Sequence, residues 1–294
     1  MDTFLRAFTE GILLGGVYAL IALGVVMVFK ASKVFNLAHG GILMFLSYLT
    51  WWLLEPKGLP LGLALLILIL VAALFGLTLD RFIFRPLIGQ TMLVTFIITL
   101  VLGFTVIPGL AMLLWGGRPQ VMHIFPSGSM TLGPVTFSYT FLLSFIIATA
   151  MFLIFVFYFR FTKTGLLMRC VSEDNLISQS LGINVKWIFA LSWVVGCLSA
   201  SIGAILLGSM FAVNSDLGGL AIMHALPVVL LGGLESIPGA FIGALFVGLA
   251  EVFAGTYVDP HISGFRELLP YILMVLILMF RPHGLFGLKR IERI

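Results

Sequence analysis

The stretch GILLGGVYALIALGVVMVF, residues 11–29, contains nineteen successive positions without a charged side chain. A helix needs about 20 predominantly apolar residues to cross the hydrocarbon core of a bilayer. Similar apolar stretches follow at residues 36–54, 60–80, 91–115, 139–159, 187–212, 222–256 and 267–281. The sequence therefore predicts an all-α fold, a polytopic bundle of transmembrane helices that forms a single domain over residues 1–294.

The composition excludes an ordinary water-soluble domain. Hydrophobic residues make up 61% of the chain, charged residues only 10%, and the mean hydropathy is +1.20. Because too little polar surface exists to cover a soluble globule, the lipid bilayer must cover part of it. We expect no nucleic-acid partner, since no basic run is interleaved with aromatic residues. We expect no metal, since no Cys or His pair has ligand spacing.

The Lys and Arg residues indicate the orientation of the spans. Twelve of the sixteen fall in four groups, at residues 30–33, 81–85, 160–186 and 281–293. Short loops rich in Lys and Arg stay in the cytoplasm when a membrane protein inserts. We therefore expect all four groups, and with them the C-terminus, on the cytoplasmic side.

The apolar tract at residues 222–256 leaves the number of crossings open. It is too long for one span and contains the break GGLESIPG at residues 232–239. If the 160–186 loop and the C-terminus share one side, the tract crosses the membrane twice or not at all. Two crossings predict about eight or nine spans, nine with the N-terminus outside, whereas a re-entrant element predicts seven.

The cytoplasmic loop at about 160–186 contains a helix that is too short to span the membrane. Ser172 is a suitable N-cap for it. Glu173 and Asp174 then lie in the first turn, where the helix dipole favours acids. Gly182 suits the left-handed position at which a helix stops. A small apolar face is formed by Leu176, Ile177, Ser180 and Leu181. We interpret this helix as a docking element for another protein; the alternative is an amphipathic helix on the lipid headgroups.

Polar residues and glycines at the start of the second span are candidates for a path through the bundle. Asn36 lies one turn before His39, which directly precedes Gly40 and Gly41, at the expected inner end of that span. Polar groups in a membrane are costly and tend to face a cavity or the bundle interior. The alternative is structural: Asn36 caps the helix and His39 bonds to neighbouring backbone.

The break at residues 232–239 is the counterpart in the second half of the chain. Its Gly232, Gly233 and Pro238 are candidate path residues, because paired Gly/Pro-interrupted segments often mark a translocation path. Glu235 in the same break is expected near the inner face, in contact with solvent.

Glu251 is the remaining candidate path residue, since it lies inside an apolar run. A buried carboxylate there needs a partner, and we favour a structural hydrogen bond over a role in transport. Before it, Gly239 and Gly243 form a GxxxG pattern that allows close helix packing, inside the chain or against another subunit.

The sequence contains no motif for catalysis. It has no GxxxxGK[ST] phosphate-binding loop and no HExxH, and no GxSxG nucleophile elbow. We therefore expect no enzyme activity, no catalytic residues and no cofactor bound by this chain.

With these residues assembled, the chain resembles the integral-membrane permeases of bacterial branched-chain amino-acid ABC importers. The resemblance extends over nearly the whole chain and rests on residues 15–24 (GGVYALIALG), 36–40 (NLAHG), 164–183, 231–240 and 281–287 (RPHGLFG). Two features depart from the pattern of such permeases. Glu235 stands where they usually have glycine, and Lys30 and Lys33 make the entrance before Asn36 more basic.

The resemblance implies a multi-pass protein of the bacterial inner membrane that works with several partners. Residues 164–183 would be the coupling loop that inserts into an ATPase subunit. A homologous second permease would complete the pore, two ATPases would use the ATP, and a periplasmic binding protein would deliver the substrate.

Other functions stay open from the sequence. A permease for urea or short amides would have the same architecture. An ATP-independent secondary transporter or channel would need a carboxylate at midplane, for which Glu251 is the only candidate. A membrane enzyme would need a catalytic pair within a span, and neither His39 nor His224 has an acidic neighbour in sequence.

Overall fold

The computed structural model describes residues 2–126, 128–132 and 135–287 of the chain. Its helices are α1 (Asp2–Ser32), α2 (Ala38–Leu54), α3 (Leu61–Thr78), α4 (Met92–Val101), α5 (Ile107–Trp115), α6 (Tyr139–Phe161), α7 (Lys163–Glu173), α8 (Asn175–Ser180), α9 (Val185–Met210), α10 (Leu217–Gly232), α11 (Ile237–Tyr257) and α12 (Phe265–Phe280). The expected basic residues Lys289, Arg290 and Arg293 lie outside the described residues.

Two short π-helical segments extend the regular helices. Leu79–Phe84 continues α3, and Leu102–Val106 joins α4 to α5, so that Leu61–Phe84 and Met92–Trp115 are continuous apolar helices. The segment between α5 and α6, residues 116–138, contains a feature that the sequence did not reveal. It is a two-stranded antiparallel hairpin, β1 (Ser129–Leu132) and β2 (Val135–Ser138), with Ser129 opposite Ser138.

The all-α membrane bundle predicted from the sequence is confirmed. Among the described residues, six helices are long and apolar enough to cross a membrane: Asp2–Ser32, Leu61–Phe84, Met92–Trp115, Tyr139–Phe161, Val185–Met210 and Ile237–Tyr257. Three shorter ones, α2, α10 and α12, occupy the other predicted stretches. The part of the chain that the structure describes thus contains a long or short apolar helix in each predicted stretch, and two helices in the tract around 222–256.

Helix α1 forms the centre of the bundle. Its most apolar window is 94% buried, compared with 22% for α6 and for the helix Leu61–Phe84. Glycines allow α1 and α11 to approach closely: a Cβ at Gly15 would lie 2.9 Å from the carbonyl oxygen of Ala244, and one at Gly248 would lie 2.6 Å from that of Gly11. Small residues at such contacts drive helix packing in lipid, because apolar burial alone gives little advantage there.

The tract at residues 222–256 contains two separate helices. Helix α10 ends at Gly232, the chain turns through Gly233 at a φ of 102°, and α11 begins at Ile237. A Cβ at Gly239 would clash with the Gly232 carbonyl oxygen, and one at Gly243 would lie 2.8 Å from the Val228 oxygen. The GxxxG pattern therefore packs α11 against α10 inside the chain.

The sequence predicts the start of α2 at the inner end of the bundle, but in the structure this start lies deeper inside it. A Cβ at Gly41 would meet the backbone of Gly103, which lies halfway along the helix Met92–Trp115. A Cβ at Gly40 would clash with the carbonyl oxygen of Gly218, the second residue of α10. Residues 33–37 between α1 and α2 are non-helical, with Lys33 at a φ of 57°. After α1 the chain thus turns back inside the bundle, and α2 begins at about half the depth of the bundle.

Candidate functional site

The four basic groups of the sequence meet at one end of the bundle in the described part of the chain. Lys33 Nζ lies 2.7 Å from Glu235 Oε1, and Lys30 Nζ donates to the Glu235 carbonyl oxygen at 3.2 Å. Arg85 Nη2 donates to the carbonyl oxygen of Lys186 at 3.5 Å. The described members of these groups therefore share one end of the bundle, and the assignment of that end to the cytoplasm stays a prediction.

The contact between Lys33 and Glu235 explains two departures from the permease pattern. Glu235, which stands where such permeases usually have glycine, neutralises Lys33. Lys33 is one of the two lysines that make the neighbouring segment unusually basic. The expectation that Glu235 is simply solvated was therefore incomplete, since its side chain is only 26% exposed and is ion-paired.

The motif RPHGLFG near the C-terminus attaches to the end of α10. The backbone N–H of Leu285 donates to the Leu231 oxygen at 2.8 Å, and that of Phe286 donates to the Gly232 oxygen at 3.2 Å. Gly284 adopts a φ of 75°, which side chains disfavour. The ends of α10 and α12 and the break at 232–239 thus lie together.

The predicted coupling segment is divided into two helices, α7 and α8, instead of one helix that begins at Ser172. Asp174 is the N-cap of α8: its Oδ1 accepts from the N–H groups of Leu176 at 2.8 Å and Ile177 at 2.9 Å. Ser172 is buried inside α7 and donates to the carbonyl oxygen of Arg169. The predicted cap at Ser172 was wrong because a helix already surrounds that residue, and Glu173 ends α7 instead of opening α8.

The apolar face of α8 is turned away from the rest of the chain. Leu176 is 78% exposed, Ile177 60% and Leu181 73%, whereas Ser178 is buried and anchors the helix. Gly182 ends the segment at a φ of 81°, as predicted. Such a face on a short capped helix has the form of a docking surface.

Asn36 and His39 are buried, but they do not make the side-chain hydrogen bonds that the structural alternative requires. Helix α2 is capped by Leu37 without a side-chain hydrogen bond. Neither Asn36 Oδ1 nor either ring nitrogen of His39 has a hydrogen-bond partner among the described residues. The His39 ring occupies the space left by Gly24 of α1, where a Cβ would clash with it. The structural alternative, a cap by Asn36 and a backbone hydrogen bond by His39, was therefore wrong. The His39 side chain faces α1.

A cavity of about 720 Å³ lies between the start of α10, the start of α12 and the π-helical segment Leu102–Val106 of the fourth span, the helix Met92–Trp115. Its walls are formed by Gly103, Phe104, Pro108, Met112, Ser215, Asp216, Gly218, Gly219, Leu220, Met223, His224, Glu267, Leu268, Pro270 and Tyr271. Gly40 and Gly41 do not line it. They support its wall from behind, through the contacts with Gly218 and Gly103.

Glu251 is buried behind His224, which lines this cavity, and both of its carboxylate oxygens have partners. Its Oε2 accepts from Tyr18 Oη at 2.9 Å and lies 3.3 Å from His224 Nε2. Its Oε1 lies 2.9 Å from Arg266 Nη2. The His224 ring also donates from Nδ1 to the Leu220 carbonyl oxygen at 2.7 Å. One carboxylate thus connects α1, α10, α11 and α12.

Sequence reasoning expected a partner for Glu251 but identified none. Tyr18 is 233 positions away and His224 lies in another helix. An available signal was Arg266, an isolated cation at the beginning of the last apolar stretch. Of the predicted path residues, Glu251 adjoins the cavity, Gly40 and Gly41 support it, and Gly232, Gly233 and Pro238 lie at the other end of α10 and α11.

These features define a multi-pass helical membrane protein with broken helices around a cavity and a short helix whose apolar face is exposed. Residues 7–278 match the family described as "Branched-chain amino acid transport system / permease component". The chain belongs to this permease family.

Relatives of known description match the chain over almost its whole length. The permease protein BraD of the Pseudomonas aeruginosa high-affinity branched-chain amino acid transport system is 31% identical over 99% of this chain and 98% of the relative. The corresponding LivH of Escherichia coli K12 is 29% identical with the same coverage. Among solved structures, PsaBC from Streptococcus pneumoniae in complex with Fab is 15% identical, with a TM-score of 0.47 over 93% of this chain and 91% of that chain.

Proposed function

We propose that this chain is a permease subunit of an ATP-driven importer that carries branched-chain amino acids across the inner membrane. It works with a homologous second permease, two ATPases and a periplasmic substrate-binding protein. The observation that carries the proposal is the exposed apolar face of α8, formed by Leu176, Ile177 and Leu181. The descriptions of BraD and LivH as transport permeases support the cargo.

In this proposal the ATPases supply the energy mechanically, through α8. The chain contains no phosphate-binding GxxxxGK[ST] loop, so ATP is bound and hydrolysed by its partners. Helix α7 packs on the ends of α6, α1 and α9, and it connects α8 to the centre of the bundle. A movement of α8 is thereby transmitted to the helices around the path.

The cavity between the fourth span, α10 and α12 is the proposed entry to the translocation path. Its walls combine apolar side chains such as Phe104, Met223 and Leu268 with the acids Asp216 and Glu267. Apolar walls suit a branched aliphatic side chain, and the acids suit an ammonium group. The positive N-terminal end of α10 favours a carboxylate, as half-helices do in other transporters.

The remaining candidate residues keep their proposed roles along this path. Asn36 and His39 lie at mid-depth behind the cavity wall, where their unbonded polar atoms can take part in a rearrangement. The break at 232–239, with Pro238 exposed, forms the inner end.

Glu251 argues against an ATP-independent transporter. An ion-coupling carboxylate must exchange its partner during transport, whereas Glu251 already contacts Tyr18, His224 and Arg266. Its role in this proposal is to hold the cavity wall together.

Replacing Gly219 by Trp is expected to reduce uptake at least tenfold without reducing the stability of the protein. Gly219 lines the cavity, and a Cβ there meets nothing within 4 Å. The indole can therefore enter the cavity and occupy it without displacing the helix. Uptake of radiolabelled leucine in cells measures the effect, and Gly219→Ala is the matched control, with uptake close to that of the wild type. Wild-type uptake by the Trp variant would show that the cavity is not on the route.

The proposed assembly is tested by purifying the tagged chain from its own membranes in mild detergent. We expect two ATPase subunits and a second permease to co-purify, and the complex in proteoliposomes to take up leucine only with ATP and the binding protein. Uptake by the chain alone, driven by an ion gradient, would overturn the proposal.

A further inference from the structure

A second cavity, of about 360 Å³, lies at the basic end of the bundle, beside the break at 232–239. It is lined by Lys30, Val156, Phe159, Arg160, Arg169, Glu235, Ser236, Ile237, Pro238 and Phe286. These residues come from the ends of α1 and α6, from α7, from the beginning of α11 and the turn before it, and from the segment after α12. None of them belongs to the exposed face of α8.

The charge of this cavity is strongly positive. Three cations, Lys30, Arg160 and Arg169, line it together with one acid. That acid, Glu235, is already paired with Lys33 at 2.7 Å. The nearby acid Glu173 is exposed at the end of α7. Within the described residues the cavity thus retains a surplus of positive charge.

Lys30 and Arg169 each make a hydrogen bond within the chain but keep donors without a partner. Arg169 Nη2 donates to the Arg160 carbonyl oxygen at 3.2 Å, while its buried Nε has no hydrogen-bond partner among the described residues. Lys30 Nζ lies 5.1 Å from the centre of the Phe159 ring and donates to one carbonyl oxygen, whereas an ammonium group has three donors. A fixed cluster with spare donors fits an anion with several oxygens.

The other walls of the cavity are apolar. Val156 and Phe159 belong to α6, and Ile237 and Pro238 begin α11. Helix α6 exposes large apolar side chains such as Ile154 and Phe157 along its length, so this side of the bundle faces hydrocarbon. The cations therefore lie at the membrane end of a surface that faces lipid chains.

We propose that this cavity binds the headgroup of an anionic phospholipid. The phosphate diester lies between Lys30, Arg160 and Arg169, and an acyl chain follows Val156 along α6. Basic pockets between spans on the cytoplasmic side are suited to such headgroups. A free phosphate has the same charge chemistry but gains nothing from the apolar wall.

The test is binding of phosphatidylglycerol to the full-length chain, purified in mild detergent and observed by native mass spectrometry. The wild type is expected to retain one phosphatidylglycerol in preference to phosphatidylcholine. The double variant Arg160→Gln, Arg169→Gln is expected to bind it about 30-fold more weakly, from the roughly fivefold contribution of each basic residue near an anionic surface. Arg81→Gln is the matched control, because Arg81 is exposed near the same end but outside the cavity, and it should bind like the wild type.

Two further measurements separate the possible sources of the anion. If the double variant does not fold, the single variant Arg160→Gln, at an exposed position, should still bind phosphatidylglycerol about fivefold more weakly than the wild type. Inorganic phosphate at 10 mM should not displace the lipid. Equal binding by variant and wild type, displacement by phosphate, or loss of the lipid when an ATPase joins the complex would each overturn the proposal. Because binding is read directly, failure here leaves the proposed transport function untouched.

Discussion

Replacing Leu181 by Asp is expected to abolish coupled uptake while the amount of protein in the membrane stays unchanged. Leu181 is 73% exposed on α8 and contributes to the apolar face that the ATPase is proposed to cover. Burying such a side chain contributes about 1.5–3 kcal/mol, and a carboxylate in its place adds a desolvation cost. We therefore expect ATPase binding to weaken at least tenfold.

The measurement combines leucine uptake, co-purification of the ATPase and membrane level by immunoblot. Gln179→Asp is the matched control, because it places the same charge on the same short helix at an exposed polar position. It should retain most of the uptake. Normal uptake by Leu181→Asp, or equal loss in the control, would contradict docking through this face.

Replacing Glu251 by Ala is expected to cause the largest loss of stability, of about 3 kcal/mol. Removing one partner of a buried ion pair costs about 3–5 kcal/mol, since the other charge remains without compensation. The lower end of this range applies because the Arg266 side chain is 41% exposed and can be solvated. Tyr18 and His224 also lose an acceptor inside the bundle.

Unfolding in detergent, followed by size-exclusion chromatography after heating, measures this loss. The control is Glu10→Gln, which breaks the exposed pair with Arg6 on the same side of the bundle and should cost less than about 1 kcal/mol. Arg266→Gln should destabilise less than Glu251→Ala, because Tyr18 and His224 keep their acceptor. An unchanged unfolding temperature for Glu251→Ala would show that the four helices do not depend on this carboxylate.

Features that depend on local composition were predictable from the sequence. Apolar length determines where a helix crosses, so the stretches from residues 11–29 to 267–281 all correspond to helices. The common side of the basic groups was predictable because charge at span ends follows one rule. Gly182 was predictable as a stop, since few residues adopt a positive φ.

Features that depend on partners distant in sequence were not predictable. Ser172 and Asp174 are both good caps by composition, and only the packing of α7 against the bundle decides between them. The mid-depth start of α2 depends on the close contact of Gly40 with Gly218, which no local pattern reveals.

The sequence by itself determined the membrane class, the positions of the apolar stretches and the shared side of the basic groups, because each follows from the transfer of local segments between water and lipid. Only the tertiary structure decided which groups meet: Glu251 with Tyr18, His224 and Arg266, and Lys33 with Glu235. The physical reason is that a buried charge needs a partner at about 3 Å, and helix packing, not distance along the chain, determines which residue comes that close.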